Sequence, residues 1–356
     1  MATNAQQRAV DDPAEIVEGL RQVYFAGARD DLLRDAFDWL LRRHFAGAAG
    51  AGDDPRARYR NREGRNLALI GESGAGKTTA TLRMVEKHEA LVGYGSLGTR
   101  CPLVTVRAPS PCTSKQLGRA TLRQLGYPIE RELPEHRIWE EVRARLKSTA
   151  IQIVHVDEMQ HVTQVANAIE AQRVVNTLKA LMVDPDWPVS LLLSGVPTLK
   201  SFLESDAQIF RRTRFVEFSP LKIPDDSPEI TAMAETLVEK AGLRLVLSDS
   251  TDFGSRLLHA VQLQFGAAVD LVLDTIYGAL TRLRATSPLQ VAEMNADDFA
   301  IAWRLRTGCA EDANPFLARA WHEIDSGKAF ATVAPTALGA HKRLDNQSIR
   351  NGRRNF

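Results

Sequence analysis

Short apolar runs alternate with long helical patterns through the middle of the chain. The runs are NLALIG (66–71), PLVTVRA (102–108), IQIVHVDE (151–158), VSLLLSGV (189–196) and RFVEFSPL (214–221). A short run that stays apolar at successive positions is buried on both faces, so this alternation predicts a parallel sheet sandwiched between helices. Upstream, Ala14 to Phe45 has helical spacing in two stripes: Ile16, Leu20 and Tyr24, then Leu32, Leu33, Phe37, Leu40 and Leu41. The small residues AGAAGAGDD (46–54) break that pattern, which reads as two helices and a linker. Downstream, IPDDSP (223–228) interrupts the alternation and no strand-like run recurs. Helical patterns cover Ile230 to Lys240, Gly254 to Phe265, Ala267 to Arg284 and Asp297 to Arg306. From His341 the chain has five Lys or Arg against one Asp and is expected to be disordered. The expected organisation is a helical extension and linker (1–60), an α/β core (61–223), a small all-helical unit (224–310) and a C-terminal extension (311–356).

Composition narrows this picture. At 356 residues the chain exceeds one ordinary domain, and 44% hydrophobic with 25% charged residues is globular. The 45 Lys and Arg against 44 Asp and Glu leave a formal charge of +1, so any anionic partner must be met by a local patch. Cys101, Cys112 and Cys309 have neither zinc nor disulfide spacing, which favours a reducing compartment. The polar, acidic start and the short apolar runs fit neither a signal peptide nor a membrane span. A cytoplasmic protein without a membrane partner is expected.

The strongest motif lies where the first run meets a helix. Gly71-Glu72-Ser73-Gly74-Ala75-Gly76-Lys77-Thr78 has the spacing G-x-x-x-x-G-K-[ST], with Thr79 next. Its glycines let backbone N–H groups converge on phosphate oxygens at a helix N-terminus, where the macrodipole favours anions. Lys77 is expected on the β/γ-oxygens and the Thr78 hydroxyl on Mg2+, with ATP as the nucleotide.

An acidic partner ends the third run. Asp157 is expected in the magnesium shell, and Glu158 is expected to orient and deprotonate the attacking water. That second carboxylate points to NTP hydrolysis machines of the additional-strand class. The fourth run ends on Ser194 at the carboxyl edge, where a hydroxyl can sense the γ-phosphate, position water or simply form a turn. Arg211, Arg212 and Arg214 precede the fifth run. They read either as an arginine finger for a neighbouring subunit's site or as a solvated basic helix end.

Taken in order, these motifs resemble those of AAA+ ATPases, and more narrowly the TniB and TnsC group of transposition ATPases. The closer resemblance is carried by Arg107-Ala-Pro-Ser-Pro-Cys-Thr-Ser-Lys-Gln-Leu-Gly, Leu193-Ser-Gly-Val-Pro and Asn314-Pro315-Phe316, and it extends over about residues 20–320. The fold it implies is a P-loop NTPase core with a helical lid. The implied function is ATP-dependent assembly on double-stranded DNA as a ring or filament, with a TniQ-type target-selection protein and a DDE transposase as partners. The sequence departs from the wider pattern in the lid. Gly266-Ala-Ala-Val269 lacks the arginine of a Gly-x-x-Arg turn, and Arg256 is the candidate substitute.

In the resembling proteins the segment after the second strand lines the central channel. It holds Thr113, Ser114, Lys115 and Arg119, whose cations and short hydroxyls suit phosphates rather than base edges. The same residues also read as a capped helix start with exposed cations. Two other functions share most of the motifs: a nucleotide-operated protein-binding switch that never touches DNA, and a loader of another DNA enzyme.

Overall fold

The structure is a computed structural model describing residues 12–45, 63–96, 101–129, 132–163, 168–247, 250–286 and 293–327. The glycine-rich linker and the basic tail lie outside the described residues.

In chain order the elements begin with α1 (Pro13–Leu20), α2 (Ala28–Phe45), β1 (Asn66–Gly71), α3 (Lys77–Lys87), β2 (Leu103–Arg107), α4 (Ser114–Gln124) and α5 (Glu135–Ser148). There follow β3 (Ile153–Asp157), α6 (Gln160–Thr163), α7 (Ala168–Met182), β4 (Ser190–Gly195), α8 (Thr198–Glu204), α9 (Ala207–Phe210) and β5 (Thr213–Phe218). The last part comprises α10 (Ser227–Lys240), β6 (Arg244–Leu245), α11 (Ser250–Ala260), α12 (Phe265–Thr286), β7 (Glu293–Met294) and α13 (Ala296–Thr307).

All five expected strands form one parallel sheet in the order β2-β3-β4-β1-β5. Strand β4 therefore sits between the phosphate-loop strand and the strand ending in Asp157, which is the additional-strand arrangement. The continuous apolar runs follow from the pleat. Leu67 and Leu69 face α2 and α3, with Leu33, Phe37, Leu40 and Val85, while Ala68 faces the opposite core, which α4, α5, α7 and α8 cover. Phe37 and Leu40 have no solvent exposure, and burying each stabilises the contact of α2 by about 2 kcal/mol. Leu32, expected in the same stripe, is 59% exposed.

The C-terminal unit has its own core, which includes Phe253, Leu257, Phe299, Trp303 and Phe316. It differs from expectation in two respects. A two-residue parallel ladder, β6 with β7, joins the segment after α10 to the segment before α13. The second expected helix also stops at Ala260, because Gln262 and Leu263 take positive φ (54° and 63°) and turn the chain. That turn bends α12 by 104° from α11 and brings its first residues to the phosphate loop. Val17 and Leu20 of α1 belong to this same core, so the N-terminal segment bridges both units. No single helix among the described residues is long and apolar enough to cross a membrane.

Candidate nucleotide site

Strand β1 ends at Gly71, and the chain turns through Glu72 to Gly76 before α3 begins at Lys77. Gly74 and Gly76 have φ of 79° and 89°, a region an L side chain enters only with strain. Ala75 faces inward, buried in the α2/α3 core, while Glu72 and Ser73 face solvent. The Lys77 ammonium donates to the carbonyls of Gly71 (2.7 Å) and Glu72 (2.9 Å). Burial pulls its pKa below the usual lysine range against the opposite pull of Glu158, Asp157 and Glu72. It is thus a partly desolvated cation at the mouth of an anion cradle.

Thr78 lies one residue into α3, and its hydroxyl donates to Oδ2 of Asp157 at 2.8 Å. A hydroxyl and a carboxylate side by side form a hard-oxygen set, which suits Mg2+ completed by phosphate oxygens and water. The other oxygen, Oδ1, accepts from Ser194 at 2.5 Å and from the backbone N–H of Glu158 at 3.0 Å. Ser194 has no solvent exposure. Its hydroxyl is therefore committed to Asp157 from behind and does not open into the cleft, unlike the γ-phosphate contact considered from sequence.

Glu158 takes φ 62°, left-handed for a residue with a Cβ, at a cost of about 1–2 kcal/mol. Backbone bonds hold this conformation, from Met159 N–H to the Ser194 carbonyl (2.9 Å) and from His161 N–H to the Glu158 carbonyl (3.0 Å). The turn aims Glu158 into the cleft, where its carboxylate accepts from the Gln160 amide.

The cleft has a volume of about 380 Å³; Glu158, Gln160 and Val196 line it just beyond β3 and β4, and three further walls enclose it. The phosphate loop and α3 supply Ser73, Gly74, Gly76, Lys77, Thr78 and Thr79; the lid supplies Phe265, Gly266, Val269, Asp270 and Leu273. The third wall, missed in the sequence, is the segment between α1 and α2 with the start of α2: Arg21, Val23, Tyr24, Phe25 and Arg29. The Arg29 guanidinium donates to the Ala75 carbonyl (3.3 Å) and lies 4.1 Å from the Phe265 ring centroid and 5.4 Å from that of Phe218. One cation thereby ties the phosphate loop, the edge strand and the lid. Nothing in the local pattern flags these residues, because their role depends on where the helices pack.

Val269 occupies the place of the absent lid arginine and lines the cleft. Arg256 does not replace it. Its guanidinium is bound to Asp252 (2.5 Å) and to the carbonyls of Pro315 (2.7 Å) and Ala318 (2.8 Å). Asn314-Pro315-Phe316 is likewise absorbed in the lid, where the Asn314 amide donates to the Ala300 carbonyl (2.8 Å) and Phe316 packs on Phe253 and Phe299.

The three arginines lie far from this cleft. Asn66 N–H donates to the Arg212 carbonyl (2.9 Å), which places the cluster at the amino edge of the sheet, about 20 Å of strand from the phosphate loop. Arg212 is paired with Glu63 (2.6 Å), and Arg214 stacks over Trp39 at 5.6 Å. Arg211 is exposed, and its guanidinium has no partner among the described residues.

The four residues considered for DNA are brought together only in part. Thr113 caps α4, accepting from Gln116 N–H (3.3 Å), and Ser114 is fully buried, donating to Glu135 (2.7 Å) and accepting from the Trp139 indole (3.1 Å). Ser114 therefore cannot meet DNA on this surface, and the capped helix start is the reading that fits this pair, with Thr113 as the cap. Lys115 and Arg119 lie one turn apart on the surface and both pair with Glu132. Arg123, a further turn on, continues this stripe and is exposed.

Residues 60–203 match the family described as an AAA domain. No curated protein matches the chain in sequence. The fold resembles that of the ORC2 protein of Aeropyrum pernix in its ADP form (TM-score 0.52, 17% identity, 79% of this chain and 70% of that one). It also resembles Cdc6p of Pyrobaculum aerophilum (TM-score 0.50, 14% identity, 80% and 70%). The chain thus carries an AAA domain and has the AAA+ P-loop NTPase fold, with a helical C-terminal unit.

Proposed function

We propose that this AAA+ chain is an ATPase that assembles on double-stranded DNA to regulate transposition, coupling target selection by a TniQ-type protein to a DDE transposase. The observation that carries the ATPase part is the single cleft containing Lys77, Thr78 and Glu158, with Asp157 beneath it. Loop N–H groups and Lys77 hold the β- and γ-phosphates, and Val23, Tyr24 and Phe25 offer the base an amphipathic wall. Glu158 takes a proton from a water whose oxygen attacks the γ-phosphorus, and the bond to the β-phosphate oxygen breaks to release ADP. Magnesium held by Thr78 and Asp157 would neutralise charge on the phosphate oxygens. The arginines at the opposite sheet edge lie too far from their own cleft to serve it, so a catalytic role for them requires a neighbouring subunit.

The DNA part rests on the Lys115, Arg119 and Arg123 stripe and on the resemblance to transposition ATPases. The pairing of Lys115 and Arg119 with Glu132 favours a second reading, a nucleotide-operated protein switch whose cations are already neutralised. ATPase turnover and duplex binding measured together discriminate the two. The transposition reading expects ATP-dependent binding of unrelated duplexes that falls steeply with salt, is lost in Lys77→Ala and stimulates hydrolysis. An active ATPase with no duplex binding at low salt would leave the switch. A DNA-stimulated ATPase that fails to engage an integrase-like transposase would instead favour a loader of another DNA enzyme.

A further inference from the structure

Behind Asp157 runs a hydrogen-bonded chain that the nucleotide chemistry does not itself use. The Tyr94 hydroxyl lies 2.7 Å from Thr105 Oγ1, Thr105 Oγ1 is 3.2 Å from His155 Nδ1, and His155 Nε2 is 2.9 Å from Ser194 Oγ. Ser194 Oγ then reaches Asp157 Oδ1. These groups cross the sheet from the turn after α3 through β2, β3 and β4, and His155 and Ser194 have no solvent exposure.

Counting protons gives the chain one direction. Asp157 accepts from Ser194 at Oδ1 and from Thr78 at Oδ2, so the single Ser194 proton goes to Asp157, and Ser194 must accept from His155. The imidazole proton then sits on Nε2. Tyr94 donates to Thr105, which leaves the Thr105 proton for the ring nitrogen it faces, so Nδ1 is an acceptor. Thr105 spends its one proton on Nδ1 and accepts from Tyr94. Reversing any member leaves two donors or two acceptors face to face in the sheet interior.

The geometry points to His155 as a positioning residue: fixed as the Nε2–H tautomer by Thr105 and Tyr94, it locks Ser194 onto Oδ1 of Asp157 and leaves Oδ2 to Thr78 and the metal. The inference rests on Asp157 being the magnesium carboxylate. A fully buried imidazole oriented this way couples the turn around Tyr94 to a carboxylate two strands away.

Two measurements on the full chain test it. In 15N-histidine-labelled protein without nucleotide or metal, long-range 1H–15N spectra are expected to give a protonated Nε2 and a bare Nδ1 for His155, assigned by the signal lost in His155→Gln. A protonated Nδ1, in either a neutral or a charged ring, overturns the inference. Second, Mn2+ binding is read by electron paramagnetic resonance with a non-hydrolysable ATP analogue. His155→Leu and Thr105→Val are each expected to weaken Mn2+ binding, the former about tenfold, while nucleotide affinity in EDTA is unchanged. His155→Gln, whose amide can reach Ser194, restores part of the loss, and His155→Leu has no further effect on a Ser194→Ala background. Wild-type Mn2+ affinity in a folded His155→Leu or Thr105→Val protein, or the same loss with Ser194 absent, overturns it. Asp157→Asn separates the premise: unchanged Mn2+ binding there refutes the metal assignment, while the tautomer is still decided by the spectra.

Discussion

Gly266, in the first turn of α12, lies so close to Gly74 of the phosphate loop that a Cβ on it would stand 2.7 Å from the Gly74 carbonyl oxygen. The next residue, Ala267, donates its N–H to that carbonyl at 3.0 Å. Lid and loop therefore meet backbone to backbone, and no flexible side chain can yield. Gly266→Ala is expected to cost about 1–3 kcal/mol of this contact. As lost nucleotide affinity that is about five- to a hundredfold, measurable by titration with a fluorescent ATP analogue. Wild-type affinity in this variant would show that the lid contact does not shape the site.

Replacing Glu158 by Gln keeps the side chain's size and its reach into the cleft but removes the base. Hydrolysis is expected to fall by about two to four orders of magnitude with nucleotide binding retained. Single-turnover assays with labelled ATP check this, and near-normal turnover would assign the base elsewhere.

Arg211, exposed at the far edge of the sheet, is the arginine best placed to act on another subunit, because Arg212 and Arg214 already have partners in their own. Mixing Glu158→Gln with Arg211→Ala subunits is expected to recover ATPase at interfaces that combine an intact cleft with an intact arginine. Absence of recovery for each of Arg211, Arg212 and Arg214, with co-assembly confirmed by light scattering, rules out a finger in this cluster.

Glu132 holds two cations that DNA would need. Under the transposition reading, Glu132→Gln releases Lys115 and Arg119, so duplex affinity at low salt is expected to rise several-fold and the salt slope to steepen by about one or two released counterions per protomer. Fluorescence anisotropy at several salt concentrations reads both. Unchanged slope and affinity would mean that this face of α4 does not meet DNA.

Cys112 is fully buried, and burial pushes its thiol pKa up to about 12. In the unfolded chain the thiol ionises from about pH 8.5, so above that pH the unfolded state binds fewer protons and stability falls as pH rises. The contribution is about 1–2 kcal/mol by pH 10. Urea midpoints between pH 8 and 10 are expected to decline less steeply in Cys112→Ala than in the wild type. Parallel declines would mean that the thiol ionises equally in both states.

Much of the fold was legible because its signals are local. Five apolar runs flanked by breakers became five strands, and the Gly71–Thr78 spacing put a loop and helix start after the first of them. The Asp157-Glu158 pair at a strand end likewise lies within one element. His155 was visible as a polar residue inside a buried run, yet its partners could not be read, since Thr105 and Ser194 lie on other strands. Ser114 misled because a hydroxyl at a helix start looks the same in sequence whether it is buried or free to meet a phosphate.

By itself the sequence determined the sheet, the phosphate loop, the acidic pair and the helical lid, since each follows from periodicity or from a motif confined to one turn or strand end. Only the tertiary structure decided that Arg29 and Tyr24 wall the cleft, that Ser194 stands behind Asp157, that Glu132 neutralises Lys115 and Arg119, and that the arginine cluster sits a strand's length away from its own phosphate loop. The physical reason is the same in each case. These relationships are set by strand order and helix packing, which bring together residues from 13 to about 140 positions apart with no repeat or spacing to announce them.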